Sequence, residues 1–69
     1  ILIEGTADIT ISGNTFSGLS TPAVIARNGC QRLLISGNSI TDVNRKSPGL
    51  KAIELGDAKG SLVKDNLGQ

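Results

Sequence analysis

Glu54 and Arg27 are the first residues to weigh for chemistry, one a carboxylate and the other a guanidinium. Brought onto one face, they could grip an acidic or neutral sugar, or act as acid and base in cleaving one. An isolated salt bridge accounts for the pair equally well and is the simpler reading. A second candidate is the polar run Thr41-Asp42-Val43-Asn44-Arg45-Lys46-Ser47-Pro48-Gly49-Leu50-Lys51. It sets Asp42 beside three cations, Arg45, Lys46 and Lys51, around a Pro-Gly turn, and it reads either as a binding loop or as a solvated surface turn. Other templates fail. The chain has no His, which removes Ser-His and Cys-His nucleophile systems and His-based metal sites. Asp42 with Asn44, or Asp57 with Asp65, offers too few carboxylates at loop spacing for a calcium site. No metal and no cofactor are therefore expected. Cys30 follows Gly29 in a turn and reads as a small buried filler.

Composition narrows the setting in which such groups would work. Seven Lys and Arg stand against six Asp and Glu in 69 residues, a net charge of +1. That provides no basic field for nucleic acid or anionic lipid, and with Phe16 the one aromatic there is no base-stacking platform. No stretch approaches the roughly 18 apolar residues of a membrane span. Neither nucleic acid nor membrane is expected as a partner. A chain this short buries only about 60% of its unfolded surface, and a single cysteine cannot form an internal disulfide. The sequence begins Ile-Leu-Ile-Glu-Gly, without Met or a leader pattern, so the expectation is a segment of something longer.

The elements that must position these residues come from an internal repeat. Ile9-Thr10-Ile11-Ser12-Gly13-Asn14-Thr15-Phe16 recurs 24 residues on as Leu33-Leu34-Ile35-Ser36-Gly37-Asn38-Ser39-Ile40. A worn third copy, Ser61-Leu62-Val63-Lys64-Asp65-Asn66, follows at 28. Three rungs result, about 1–24, 25–52 and 53–69, in one partial domain. The same offsets align Ile1 with Ile25 and Ile53, and Gly5 with Gly29 and Asp57. Apolar residues alternate, as in Ile1/Ile3, Ile9/Ile11 and Ile53/Leu55, the period of short half-buried strands, and Gly and Asn interrupt every few residues. Helices are not supported.

This alignment makes specific placements. Asp8 falls beside Arg32. Glu54 falls beside Ala26 and Leu2 on the outward face of the first sheet, with Arg27 one residue away on the next rung. Strict alternation turns Arg27 inward with Ile3 and Leu55, where an unpaired guanidinium is very costly, so a bulge or early turn must aim it outward. Thr10, Leu34 and Leu62 form an outward column on the second sheet. Asn14, Asn38 and Asn66 fall at one bend, where Asn tolerates a left-handed backbone and stacked amides hydrogen-bond along a ladder. The connection Ser17–Val24 has eight residues and Thr41–Ala52 has twelve, which accounts for the longer second offset.

Through the repeated Ile-x-Ile-Ser-Gly-Asn-x-(Phe/Ile) pattern, the chain resembles the right-handed parallel β-helix, pectate-lyase-like superfamily along nearly its whole length. The resemblance implies an all-β solenoid with an Asn ladder at one turn. It also implies a secreted or cell-surface, carbohydrate-active protein of the polysaccharide lyase or glycoside hydrolase type, with a groove facing polysaccharide. Arg27, Glu54, Asp42, Arg45, Lys46 and Lys51 are the residues expected to line that groove. Whether the parent is an enzyme stays open, and no catalytic residue is assigned. The run Ile25-Ala26-Arg27-Asn28-Gly29 with Ser36-Gly37-Asn38 also resembles a stretch of chondroitinase-B-like lyases whose Arg takes part in catalysis, but that family's Lys base and calcium ligands have no counterpart. The rival reading is a non-enzymatic segment of a trimeric phage tailspike or adhesin, favoured by the leucine column. An antifreeze-like repeat is disfavoured by the unequal spacings. On either main reading the open ends are expected to be covered by flanking rungs or other copies.

Overall fold

A computed structural model describes residues 1–46 and 48–68. Ser47 of the long loop and Gln69 at the end of the third pass therefore lie outside the described residues. The protein is all-β, with eight short strands among the described residues: β1 Leu2–Glu4, β2 Thr10–Ser12, β3 Thr15–Ser17, β4 Val24–Arg27, β5 Leu34–Ser36, β6 Ser39–Thr41, β7 Ile53–Glu54 and β8 Leu62–Lys64. Every strand pairing is parallel, in three sheets ordered β1-β4-β7, β2-β5-β8 and β3-β6. Parallel pairing without hairpins follows from the repeat, since like segments lie over like segments and alternate side chains share a face. The shortest dimension, 14 Å, suits three chain layers about 4.8 Å apart.

The core lies between the sheets and is driest in the middle pass, which is covered on both sides. Val24 and Ile35 are fully buried there, with Ala26, Leu33 and Ile40 nearly so. Ile3 and Ile11 of the first pass join the same cluster, and Val63 of the third packs against it half-buried. Cys30 is buried as a free thiol within 3.4 Å of the Arg27 carbonyl.

The second and third sheets keep the spacing of the repeat. Thr10 pairs with Leu34 and Leu34 with Leu62, while Phe16 pairs with Ile40. The first sheet does not. Leu2 pairs with Ile25, not Ile1 with Ile25, and Val24 pairs with Ile53, not Ile25 with Ile53. The middle pass holds one more residue than its neighbours between this sheet and the bridge Ala7–Gln31–Lys59. The extra residue falls at Asn28-Gly29, where both backbones are left-handed, at φ 64° and 84°. It shifts β4 by one, so Val24 and Ala26 point inward and Arg27 points outward. The expected bulge therefore lies just after the strand.

The amide bend also differs in detail. The left-handed residues are Gly13, Gly37 and Asp65, at φ 68°, 66° and 56°, each immediately before the Asn. The Asn residues are not the left-handed ones and contribute through their side chains. Asn38 Oδ1 accepts from the Asn14 backbone N–H (3.0 Å) and Asn14 Nδ2 (3.1 Å). Asn66 Oδ1 accepts from the Asn38 N–H (2.9 Å) and Asn38 Nδ2 (2.8 Å). The middle amide also donates to the Ile11 carbonyl at 3.1 Å, tying the bend to the second sheet.

Candidate functional site

The shifted first sheet decides where the candidate residues stand. Glu4 pairs in register with Arg27, and Leu2 with Ile25, whose other neighbour is Glu54. Glu54 thus belongs to the column Leu2–Ile25–Glu54; Ala26, its expected neighbour, is buried on the opposite face. Because Ile25 and Arg27 are two apart on one strand, Glu54 and Arg27 share the outward face and sit diagonally across adjacent strands.

The carboxylate that meets Arg27 is Glu4, which the sequence alignment had left without a role. Arg27 Nε lies 3.5 Å from Glu4 Oε2, and Asn28 Nδ2 donates to the same oxygen at 2.6 Å. Both charged side chains keep about half their surface exposed, so the group can exchange its internal bonds for those of a polar ligand. Glu54 instead accepts from the backbone N–H of Lys51 at 2.9 Å, closing the C-terminal end of the long loop.

The long loop divides its candidates between two places. Asp42 and Arg45 bond one another through both Nε and Nη2. That guanidinium lowers the Asp42 carboxyl below its usual range, chiefly by hydrogen bonding. This end of the loop, Lys46 included, lies over residues 18–21 of the first connection: Leu19 N–H donates to the Asp42 carbonyl, Arg45 N–H to the Leu19 carbonyl and Lys46 N–H to the Ser20 carbonyl. Lys51 lies at the other end with Glu54. Arg27, Glu54 and Lys51 therefore gather around the first sheet, while Asp42, Arg45 and Lys46 gather over the first connection. Asn44 divides the two halves. Its Nδ2 holds the carbonyls of Leu50 (2.9 Å) and Lys51 (3.2 Å), and its buried Oδ1 has no partner among the described residues.

On the opposite rim, Arg32 binds Asp8 through Nε (2.6 Å) and Nη2 (3.0 Å), the cross-pass pair that the 24-residue spacing predicts. It lowers the Asp8 carboxyl, again mainly by hydrogen bonding.

A cleft of about 790 Å³ opens beside the loop at the third pass. Asn44, Lys51 and Glu54 share its lining with Ile53, Leu55 and Val63, so its wall is polar and apolar in about equal measure. It is the outer end of the core. The bridge Ser39–Leu67 sets Gly68 below Ile40, with a left-handed backbone (φ 80°) on which a Cβ would run into the Ile40 carbonyl oxygen.

Among the described residues there is no group of three or more His, Cys, Asp or Glu that could hold a metal ion, and no helix long and apolar enough to cross a membrane. Compared with protein-family models, curated proteins and solved structures, the chain has no significant match in any of the three.

Proposed function

We propose that this chain is a scaffold segment of a secreted, carbohydrate-active protein of the right-handed parallel β-helix, pectate-lyase-like kind, and that it presents a groove to polysaccharide. The reading is carried by one observation: Glu4, Arg27 and Glu54 occupy two neighbouring outward columns of the first sheet. Parallel sheets with a continuous amide bend support the solenoid architecture, and Lys51 adds a cation at the edge of the same face. A guanidinium and an ammonium flanked by carboxylates suit hydroxyl-rich chains bearing carboxyl groups, since Arg binds a carboxylate in a two-pronged fashion and Glu accepts from hydroxyls. The segment's role on this reading is to hold and orient the chain.

The test is titration of uronic-acid oligosaccharides, with uncharged ones alongside, into isotopically labelled protein followed by NMR. Shifts confined to residues around Arg27, Glu54 and Lys51, and weakened at least tenfold by Arg27→Ala with Lys51→Ala, would support the groove. Saturating sugar that moves no resonance on the first sheet would refute it.

A second reading is favoured by the second sheet. Thr10, Leu34 and Leu62 do stack in one outward column, and Leu62 is half exposed. Such a strip suits a rod-like segment of a trimeric tailspike or adhesin. A closed trimer in solution, lost on Leu62→Glu, would favour this reading over the glycan groove.

A further inference from the structure

We propose that the Asn28-Gly29 peptide is a site of self-modification, where the side-chain amide closes on the backbone and converts to an aspartyl or isoaspartyl residue. The change adds a negative charge to the outward face of the first sheet. The proposal does not depend on glycan binding. Asn28-Gly29 is the sole Asn-Gly step in the chain, the other asparagines being followed by Thr15, Ser39, Arg45 and Leu67. It lies on the second pass, with a pass on either side, at the corner that carries the added residue. Glycine matters because it owns the attacking nitrogen. Without a Cβ that nitrogen is unshielded, and its peptide turns through conformations closed to other residues.

The reaction needs only water. The Gly29 backbone nitrogen gives its proton to a solvent base and attacks Asn28 Cγ. A bond forms between that nitrogen and Cγ, the Cγ–Nδ2 bond breaks, and Nδ2 leaves as ammonia with a proton taken from water. A second water then opens the cyclic imide. Opening at Cγ restores the ordinary backbone and leaves a side-chain carboxylate. Opening at the Asn28 main-chain carbonyl carbon routes the backbone through Cβ and Cγ instead. The sum is one water consumed and one ammonia released, with nothing oxidised or reduced.

The fold leaves this peptide free to react. Asn28 and Gly29 are both exposed, and the Gly29 N–H has no hydrogen-bond partner among the described residues. A Cβ placed on Gly29 would meet nothing within 4 Å. After three of the other asparagines the equivalent N–H is committed: Ser39 to the Asn14 carbonyl (2.8 Å), Arg45 to the Leu19 carbonyl (3.1 Å) and Leu67 to the Asn38 carbonyl (2.8 Å). After Asn14, the β-branched Thr15 crowds the nitrogen.

One bond tethers the reacting amide, that from Asn28 Nδ2 to Glu4 Oε2, the oxygen also faced by Arg27 Nε. Glu4 is about half exposed, so water competes for this tether and it holds the amide weakly. Conversion replaces the donor at position 28 with a carboxylate. The cluster then sets two carboxylates against one guanidinium, Glu4 loses a hydrogen bond, and Arg27 is drawn toward the new charge. The isoaspartyl product also lengthens the backbone at the corner that sets the phase of β4. It therefore loosens the nearby bond from the Gly5 N–H to the Arg27 carbonyl (3.2 Å).

The test is prolonged incubation of the folded 69-residue chain in mildly alkaline buffer, followed by tryptic digestion and mass spectrometry against an unincubated control. Cleavage after Arg27 and Arg32 releases the peptide 28–32, in which Asn28 is the one asparagine. That peptide should gain about 1 Da and separate into two products, with fragmentation placing the gain at position 28 and not at Gln31. Asn28 should convert at least about tenfold faster than Asn38, Asn44 or Asn66, whose ring closure must first break a backbone bond. Relative to the chain in denaturing guanidinium chloride, folding should slow Asn28 by no more than about fivefold, the worth of one exposed tether. Asn28→Gly, which suits the φ of 64°, should abolish the fast gain in mass. In the converted chain the Arg27 Nε–H resonance should move. Asn28 staying intact while another asparagine converts overturns the proposal, and so does a suppression on folding greater than fivefold, which would mean that the corner is held. An Arg27 resonance unmoved by conversion overturns the effect assigned to the new charge.

Discussion

Replacing Asn38 with Ala tests whether the amide column holds the passes together. Asn38 is buried, at 1% exposure, and its side chain takes part in four hydrogen bonds. Its oxygen accepts from the Asn14 N–H and Nδ2, and its nitrogen donates to Asn66 Oδ1 and the Ile11 carbonyl. At about 0.5–1.5 kcal/mol net for each bond, Asn38→Ala should cost about 2–6 kcal/mol. The burial of Ile11 puts the loss toward the upper end, because that carbonyl has no ready access to water. A chain of this length has a total stability on the order of 3–10 kcal/mol, so the variant removes a large share of it. Asn14→Ala should cost only about 1 kcal/mol: its Nδ2 bonds are more exposed, and its backbone N–H still reaches Asn38. Asn38→Asp keeps the acceptor but sets a second oxygen against the Ile11 carbonyl and Asn66 Oδ1, so it should lose at least as much as Asn38→Ala. The chain has no Trp or Tyr, which makes far-UV circular dichroism the probe for urea unfolding. With a slope of about 1 kcal/mol per molar urea, the midpoint should fall by about 2–6 M for Asn38→Ala, or the chain should be unfolded without urea. Equal midpoints for Asn14→Ala and Asn38→Ala would refute the reasoning.

Asp65 occupies the left-handed position that Gly13 and Gly37 hold in the other passes, so Asp65→Gly should raise stability by about 0.5–1 kcal/mol, whereas Gly37→Ala, with open space around its new Cβ, should lower it by about 1–2 kcal/mol through backbone strain alone; urea midpoints moving in the same direction would count against this assignment. Arg32 and Arg45 depress the carboxyls of Asp8 and Asp42 in the folded chain, so their contribution is present above the ordinary carboxylate value near 3.8 and is lost as pH falls through the lower folded values. The thermal midpoint should therefore drop between about pH 5 and pH 2, and less steeply in Asp8→Asn with Asp42→Asn, which tolerate the same positive φ; an acid limb unchanged by the pair of substitutions would show that other groups govern it.

How far the sequence discloses this molecule depends on whether a segment carries its own phase mark. The second sheet does. Ile11-Ser12-Gly13-Asn14 and Ile35-Ser36-Gly37-Asn38 fix inward, outward and bend positions together, and the observed pairing follows the 24-residue spacing. The first sheet does not, because Val24, Ile25 and Ala26 are apolar in succession and alternation among them has no contrast to reveal it. Aligning glycines across Gly5, Gly29 and Asp57 then conceals the added residue at Asn28-Gly29. Arg27 held the missing information. A guanidinium turned into a core this small is so costly that its outward direction fixes the strand's phase, and with it the inward places of Val24 and Ala26. Carrying the same phase one strand back sets Glu4 outward beside Arg27, which is where the structure has it. Loop partners such as Asn44 with Leu50 and Lys51 had no comparable mark, since the loop interrupts the repeat and no second copy exists to align with it. Within a repeat, the charge at a strand's end is thus a stricter guide to facing than the punctuation around it, because burial penalises an error in the charge by several kcal/mol and an error in the turn by about one.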